Sequence, residues 1–241
     1  MLIKESKCTG CGTCVIYCPV QAITIIENKA VINRDLCVEC NVCYQNADCP
    51  GKAIKPERLK WPRVIRNPFS SVVATHKLTG VPGRGTEEMK TNDITNRFEH
   101  AELGVSIELG RPGVGTLLKH VEYFTLKLSK IGVEYEKDSP VTALLIDDQG
   151  HVNEEVKNER VLSAIIEFKI PSERLPEILR VIEKADEELH TVFTVGIVSR
   201  VMSDGTIPVI KTLEEQGFDV KPNAKINIGL GKRKAKEGTL T

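Results

Sequence analysis

After residue 49 the 241-residue sequence contains no cysteine. No thiol is therefore left in the last 192 residues for nucleophilic chemistry. Long hydrophobic runs are missing too. None approaches the ~20 residues a membrane-spanning helix needs, and Ala143-Leu144-Leu145-Ile146 is typical of the longest. Met1 to Lys7 lacks the apolar core of a secretory signal, so a soluble, cytoplasmic protein is expected. Net charge is also absent, 33 basic residues balancing 33 acidic ones. The balance is uneven along the chain. Residues 1–60 carry 8 basic and 6 acidic side chains, residues 61–220 carry 19 and 26, and residues 221–241 carry 6 and 1. The tail Gly231-Lys232-Arg233-Lys234-Ala235-Lys236 would attract phosphates by itself, but the acidic middle opposes nucleic acid as a partner. The five histidines (His76, His100, His120, His151, His190) show no metal-ligand spacing.

What the sequence does have is eight cysteines crowded into its first 49 residues. A disulfide framework would need an exported chain, and clustered thiols in a reducing compartment serve as metal ligands. They form two runs. The first is Cys8-Thr-Gly-Cys11-Gly-Thr-Cys14-Val-Ile-Tyr-Cys18-Pro19; the second is Cys37-Val-Glu-Cys40-Asn-Val-Cys43, closed by Cys49-Pro50. Three thiolates at steps of three residues let one loop wrap three corners of an iron–sulfur cubane. Gly10 and Gly12 allow backbone N–H groups to approach the sulfurs and offset the cluster's negative charge. Paired zinc sites are the alternative, but zinc knuckles come as separated Cys-x2-4-Cys pairs. A third cysteine at the same step and a proline after the fourth favour the cluster.

The runs are repeats. An offset of 29 carries Cys8, Cys11 and Cys14 onto Cys37, Cys40 and Cys43, and an offset of 31 carries Cys18, Pro19, Ala22 and Ile23 onto Cys49, Pro50, Ala53 and Ile54. Ile23–Ile26 and Ala30–Ile32 flank Glu27-Asn28-Lys29, as a hairpin would. Residues 1–60 resemble the two-cluster bacterial-type ferredoxins. That resemblance implies two [4Fe–4S] clusters, with the fourth cysteine of each run serving the other cluster. Cys8, Cys11, Cys14 and Cys49 would then hold one, and Cys37, Cys40, Cys43 and Cys18 the other. The second run departs from the pattern by two extra residues within Tyr44-Gln45-Asn46-Ala47-Asp48, expected to bulge the loop near the first cluster.

Trp61-Pro62-Arg63-Val64-Ile65-Arg66-Asn67-Pro68 reads as an extended linker stiffened by two prolines. The only tryptophan, Trp61, would cover a cluster or pack between domains. Residues 69–230 alternate between strand and helix, and residues 231–241 form the basic tail. Strands are expected at 69–75, 104–109, 133–136, 141–146, 161–170, 191–201 and 225–230, and helices at 116–130, 172–189 and 207–216. Ile107-Glu108-Leu109-x-x-Pro112 resembles Ile166-Glu167-Phe168-x-x-Pro171 at an offset of 59. The fold class is therefore α+β, a ferredoxin domain followed by an α/β-sandwich-like domain that a duplicated βαβ unit would build. A single mixed sheet is the alternative.

Two segments could hold a ligand. The stretch from His76 to His100 lacks sustained periodicity, and its Arg84, Lys90 and Arg97 would suit a carboxylate or phosphate. Gly110-Arg111-Pro112-Gly113-Val114-Gly115-Thr116 lies between a strand and a helix, where Arg111, Gly113, Gly115 and Thr116 could line an anion site. It matches neither the Walker loop nor the dinucleotide fingerprint. Three functions fit: electron transfer to a redox partner protein, an iron–sulfur oxidoreductase acting on an anionic small molecule, or a structural and assembly role. The first is favoured, in an anaerobic cytoplasm.

Overall fold

The computed structural model describes residues 1–77, 80, 97–111 and 113–220. In the N-terminal part, β1 (Leu2–Ile3) pairs antiparallel with β4 (Ile54–Lys55), bringing the ends of the cysteine repeat together. The expected hairpin is present as β2 (Ile23–Ile26) and β3 (Lys29–Ile32). Glu27 and Asn28 have φ of 46° and 58°, the double left-handed turn that matches strand twist. Two short helices follow the cysteine loops, α1 (Thr13–Ile16) and α2 (Val42–Asn46).

The repeat is written into the backbone as well. Gly10 and Gly12 have φ of 72° and 78°, and their counterparts 29 residues on, Glu39 and Asn41, have φ of 57° and 65°. Gln21 and Lys52, 31 apart, have φ of 53° and 47°. The second run thus holds side chains in a conformation that glycine adopts freely, at a cost of about 1 kcal/mol each. Glycine is obligatory at position 10, where a Cβ would lie 2.3 Å from the Asn28 carbonyl oxygen.

The segment expected to be an extended linker instead winds into a 3-10 helix at Arg63–Arg66. Nor is 69–75 a strand. Ser70 and Ser71 donate their amides to the Asn67 carbonyl, and the Ser70 hydroxyl accepts from the Leu162 amide, so the chain turns although its β-branched residues favour extension.

The rest is organised by β5 (Glu102–Leu109) and β9 (Ala164–Pro171), antiparallel along their full length. The four-stranded sheet has the order β10-β5-β9-β7, with β7 (Glu134–Tyr135) and β10 (Phe193–Val198) at the edges and all neighbours antiparallel. Alternation sorts its faces. Leu103, Val105, Ile107 and Leu109 meet Ile170, Phe168, Ile166 and Ala164 on one face. That face shares a core with α3 (Leu118–Ile131), through Leu118, Val121, Phe124 and Leu128, and with α4 (Leu175–Glu188), through Leu175, Ile178, Leu179 and Ile182. A small sheet pairs β6 (Thr116–Leu117) with β8 (Arg160–Val161), and α5 (Pro208–Glu215) follows the last strand.

Residues 141–146, expected as a strand, form a 3-10 helix at Thr142–Leu144, with only Leu145 bridging to Val152. Ser139-Pro140 starts this turn, the Ser139 hydroxyl accepting from the Val141 amide. The expected strand at 225–230 and the basic tail lie outside the described residues.

Candidate metal centre

The two cysteine loops curl toward each other and leave two small cavities. One is lined by Cys8, Cys11, Cys14 and Cys49. The other is lined by Cys18, Cys37, Cys40 and Cys43. Each cavity thus takes three thiols from one run and the last thiol of the other. Apart from the thiols, the walls are mainly small or aliphatic, with Ala30, Ala53 and Ile54 in one and Ala22, Ile23 and Val38 in the other.

Backbone amides point at the sulfurs. Ala22 N–H donates to Cys18 Sγ at 3.1 Å, and its repeat counterpart Ala53 donates to Cys49 Sγ at 3.3 Å. Ala30, in the hairpin, donates to Cys8 Sγ at 3.3 Å. This explains the alanine in the Cys-Pro-x-x-Ala motif. Both Ala22 and Ala53 are 1% exposed, leaving no room for a larger side chain beside the sulfur. N–H donors of this kind suit anionic sulfur, so the donor set fits a thiolate-ligated cluster. Among the described residues, no group of three or more His, Cys, Asp or Glu side chains is arranged to hold a single metal ion.

The thiols differ in their surroundings. Burial pushes Cys43 up to about 12, with further contributions from Cys40, Cys37, Cys18 and Cys14. Burial also raises Cys14, to which Cys11, Cys8 and Cys49 add. Cys37 and Cys40 are likewise raised by burial, Cys37 also by the charge of Glu39. Cys11 is exposed, and its hydrogen bond with Thr13 lowers its pKa.

A layer of charge that the cysteine spacing does not announce covers the second loop. Glu39, between Cys37 and Cys40, is 1% exposed. It pairs with the N-terminal ammonium, with Arg63 at 2.6 Å and with Arg34 at 3.6 Å. Burial pushes its carboxyl up, but the ammonium and Arg63 outweigh this and hold it below the usual range. Arg66, also buried, donates to the carbonyl of Cys37 at 2.7 Å and pairs with Glu159. Arg63 reaches the same carbonyl at 3.3 Å, and Asn67 donates to the Glu39 carbonyl at 2.8 Å. The segment expected as a linker is therefore a clamp between the second cysteine loop and the C-terminal part. Trp61, half-exposed, adds to it by donating to Glu155 at 2.6 Å.

Among the described residues, the candidate ligand side chains are engaged by other groups of the chain. Arg84 and Lys90 lie outside the described residues. Arg97 pairs with Glu136. The Arg111 guanidinium is engaged by Glu108 at 2.8 Å and by the Ser163 hydroxyl at 2.9 Å. The amides of Val114 and Gly115 turn inward to the Gly110 carbonyl. Gly113 and Gly115 instead lie beside the turn after Cys18 that lines the second cavity, since a Cβ on Gly115 would lie 3.6 Å from Val20 and one on Gly113 would lie 3.8 Å from the Pro19 carbonyl. Buried Thr116 shares hydrogen bonds with His120 at 2.9 Å and Thr191 at 3.1 Å.

Two cavities lined by thiols, with amides aimed at sulfur, are the architecture of an iron–sulfur protein. The 4Fe-4S binding domain family matches residues 1–24. The chain is 34% identical over 104 residues to Ferredoxin-1 of Caulobacter vibrioides, covering 40% of this chain and 88% of that one. Over 58 residues it is 36% identical to pyruvate synthase subunit PorD of Methanothermobacter marburgensis, covering 24% of this chain and 65% of PorD. Over 53 residues it is 40% identical to one subunit of the ion-translocating oxidoreductase complex of Methanosarcina acetivorans, covering 22% of this chain and 19% of that protein. No solved structure matches the chain. Through its N-terminal part the chain belongs to the ferredoxins, iron–sulfur proteins of electron transfer. The C-terminal part has no recognised family, and no helix among the described residues is long and apolar enough to cross a membrane.

Proposed function

We propose that the protein carries two [4Fe–4S] clusters and delivers low-potential electrons to a partner protein, or to an acceptor held by its C-terminal part, in an anaerobic cytoplasm. Cys8, Cys11, Cys14 and Cys49 hold one cluster; Cys18, Cys37, Cys40 and Cys43 hold the other. The observation that carries this reading is the crosswise sorting of eight thiols into two four-thiol cavities. When bound, each cluster supplies a site that gains or loses one electron. The chain's own residues hold the sulfurs, aim amides at them and limit solvent contact.

A redox partner is supported by two relatives named as subunits of a pyruvate synthase and an ion-translocating oxidoreductase complex. The C-terminal unit reads as an α/β sandwich of two interlocked halves, β5-α3-β7 and β9-α4-β10. Ile107 and Ile166, equivalent in the 59-residue repeat, face each other across the central strands, as a local two-fold would require. An anionic acceptor would be drawn by the positive charges of Lys119 and Arg160, which add to burial in lowering the pKa of His120.

The test is anaerobic reconstitution with iron and sulfide analysis, followed by mixing with a low-potential donor and then candidate acceptors. About eight iron and eight sulfide per chain are expected, with clusters that reduce and are re-oxidised on mixing. Stoichiometric zinc without labile sulfide in protein purified anaerobically from its source would refute the cofactor. Clusters that resist strong reductants would leave the structural role.

A further inference from the structure

The guanidinium of Arg66 occupies an unusual place. Only 6% exposed, it donates to three carbonyls of the second cysteine loop, those of Cys37 at 2.7 Å and of Arg34 and Asp35 at 3.2 Å. Its other edge pairs with Glu159, which adjoins β8 and whose carbonyl receives the amide of Leu118, the first residue of α3. One buried cation therefore joins the loop of one cluster to the framework of the C-terminal unit. The first loop has a cation at its Cys8 carbonyl too, Lys29 at 2.7 Å, which comes from the hairpin of the N-terminal part itself.

We propose that Arg66 is a positioning residue that raises the reduction potential of the cluster held by Cys18, Cys37, Cys40 and Cys43, and that Glu159 lets the C-terminal unit set how far. The inference rests on the two-cluster reading. Reduction adds one electron, taken from a low-potential donor that is oxidised in turn, and no bond is made or broken. The electron adds negative charge to a cluster that is already anionic. A fixed cation nearby stabilises that charge, and it does so more strongly where water is excluded. Glu159 compensates part of the Arg66 charge and fixes its orientation. The nearby groups Glu39, Arg34, Arg63 and the N-terminal ammonium carry two positive charges more than negative ones, Arg34 being shared with Glu57, and they form a background that is the same in every variant; Arg66 and Glu159 are the adjustable pair. Arg66 and Glu159 line neither cavity; Arg66 reaches the one that holds Cys37 through that residue's carbonyl.

The experiment is a potentiometric titration of the full-length, cluster-loaded protein followed by electron paramagnetic resonance. The variants are Arg66→Gln, Arg66→Lys and Glu159→Gln, with Cys11→Ser used to identify the signal of the second cavity. Arg66→Gln should lower the potential of that cluster alone, and Arg66→Lys should restore part of the shift. Glu159→Gln keeps a hydrogen-bond acceptor while removing the opposing charge, so it should raise the same potential. Opposite signs are the signature of charge, because mere loosening of the clamp would move both variants the same way. Equal shifts in both clusters, no shift in either, or a shared sign for Arg66→Gln and Glu159→Gln would overturn the proposal. If Arg66→Gln fails to fold, the sign for Glu159→Gln still decides. Failure of the two-cluster reading would appear separately, as wild-type protein with about four iron per chain or fewer.

Discussion

The two cysteine loops descend from one pattern but live in different surroundings. The first, around Cys8 to Cys14, turns on glycines at positions 10 and 12 and presents an exposed thiol, Cys11. The second replaces those glycines with Glu39 and Asn41 and is gripped by Arg63, Arg66 and Asn67. Glu39 is the key to the difference. A carboxylate there is tolerable only because the N-terminal ammonium, Arg63 and Arg34 surround it, and the same cations fasten the loop to the rest of the chain. A repeat that is symmetric in its thiols has become asymmetric in its supports, one side presenting an exposed thiol and the other held against the C-terminal part.

The largest expected effect would break the crosswise assignment. Cys18→Ala should remove about half the iron, and the surviving spectrum should be that of the cluster whose loop contains Cys8, Cys11 and Cys14. Loss of that cluster instead, seen by paramagnetic resonance, would return Cys18 to its own run. Next in size is the core. Phe168→Ala removes a fully buried ring and should cost about 3–5 kcal/mol in the C-terminal part. Chemical denaturation followed alongside cluster absorbance would show whether the clamped cluster is released first, as the tie through Arg66 predicts. Simultaneous release of both would deny the asymmetry.

Smaller effects probe the loops themselves. Gly10→Ala should destabilise by more than about 1 kcal/mol, through its left-handed backbone and its clash with Asn28, whereas Asn41→Gly should be neutral or mildly stabilising. Equilibrium unfolding of both variants would measure the cost that the second loop carries. The smallest effect is one of pH. Burial chiefly lowers the pKa of His120, with the charges of Lys119, Arg160 and His190 adding to it. A histidine depressed on folding favours the native state above its unfolded value and loses that contribution as pH falls below ~6.5. Wild-type stability should therefore drop more steeply than that of His120→Asn between about pH 7 and 5 in matched unfolding curves.

Legibility varied along the chain for physical reasons. The cysteine repeat was readable because its thiols come from two short runs, whereas the left-handed backbone at Gly10 and Gly12, repeated at Glu39 and Asn41, came from the structure. Helix α4 was readable from Leu175, Ile178, Leu179, Ile182 and Ala185, which share one face. The segment 69–75 was misread because β propensity spoke for a strand, while Ser70 and Ser71 satisfied the backbone in a turn. Arg111 read as an anion ligand because glycines surround it; its partner Ser163 lies 52 residues away and left no local trace.

By itself the sequence determined the chemistry: eight thiols at iron–sulfur spacing, small residues where amides meet sulfur, and a second part rich in strand and helix patterns. Tertiary structure alone decided how the parts are joined. Arg66 and Glu159 are separated by 93 residues, and nothing in either neighbourhood predicts the other. The turn that buries Phe69 and the seat of Gly113 and Gly115 against Pro19 and Val20 bring the units together. Only that closeness makes a buried cation beside Cys37 tolerable, since a desolvated charge persists where a partner and carbonyl acceptors converge on it from distant segments.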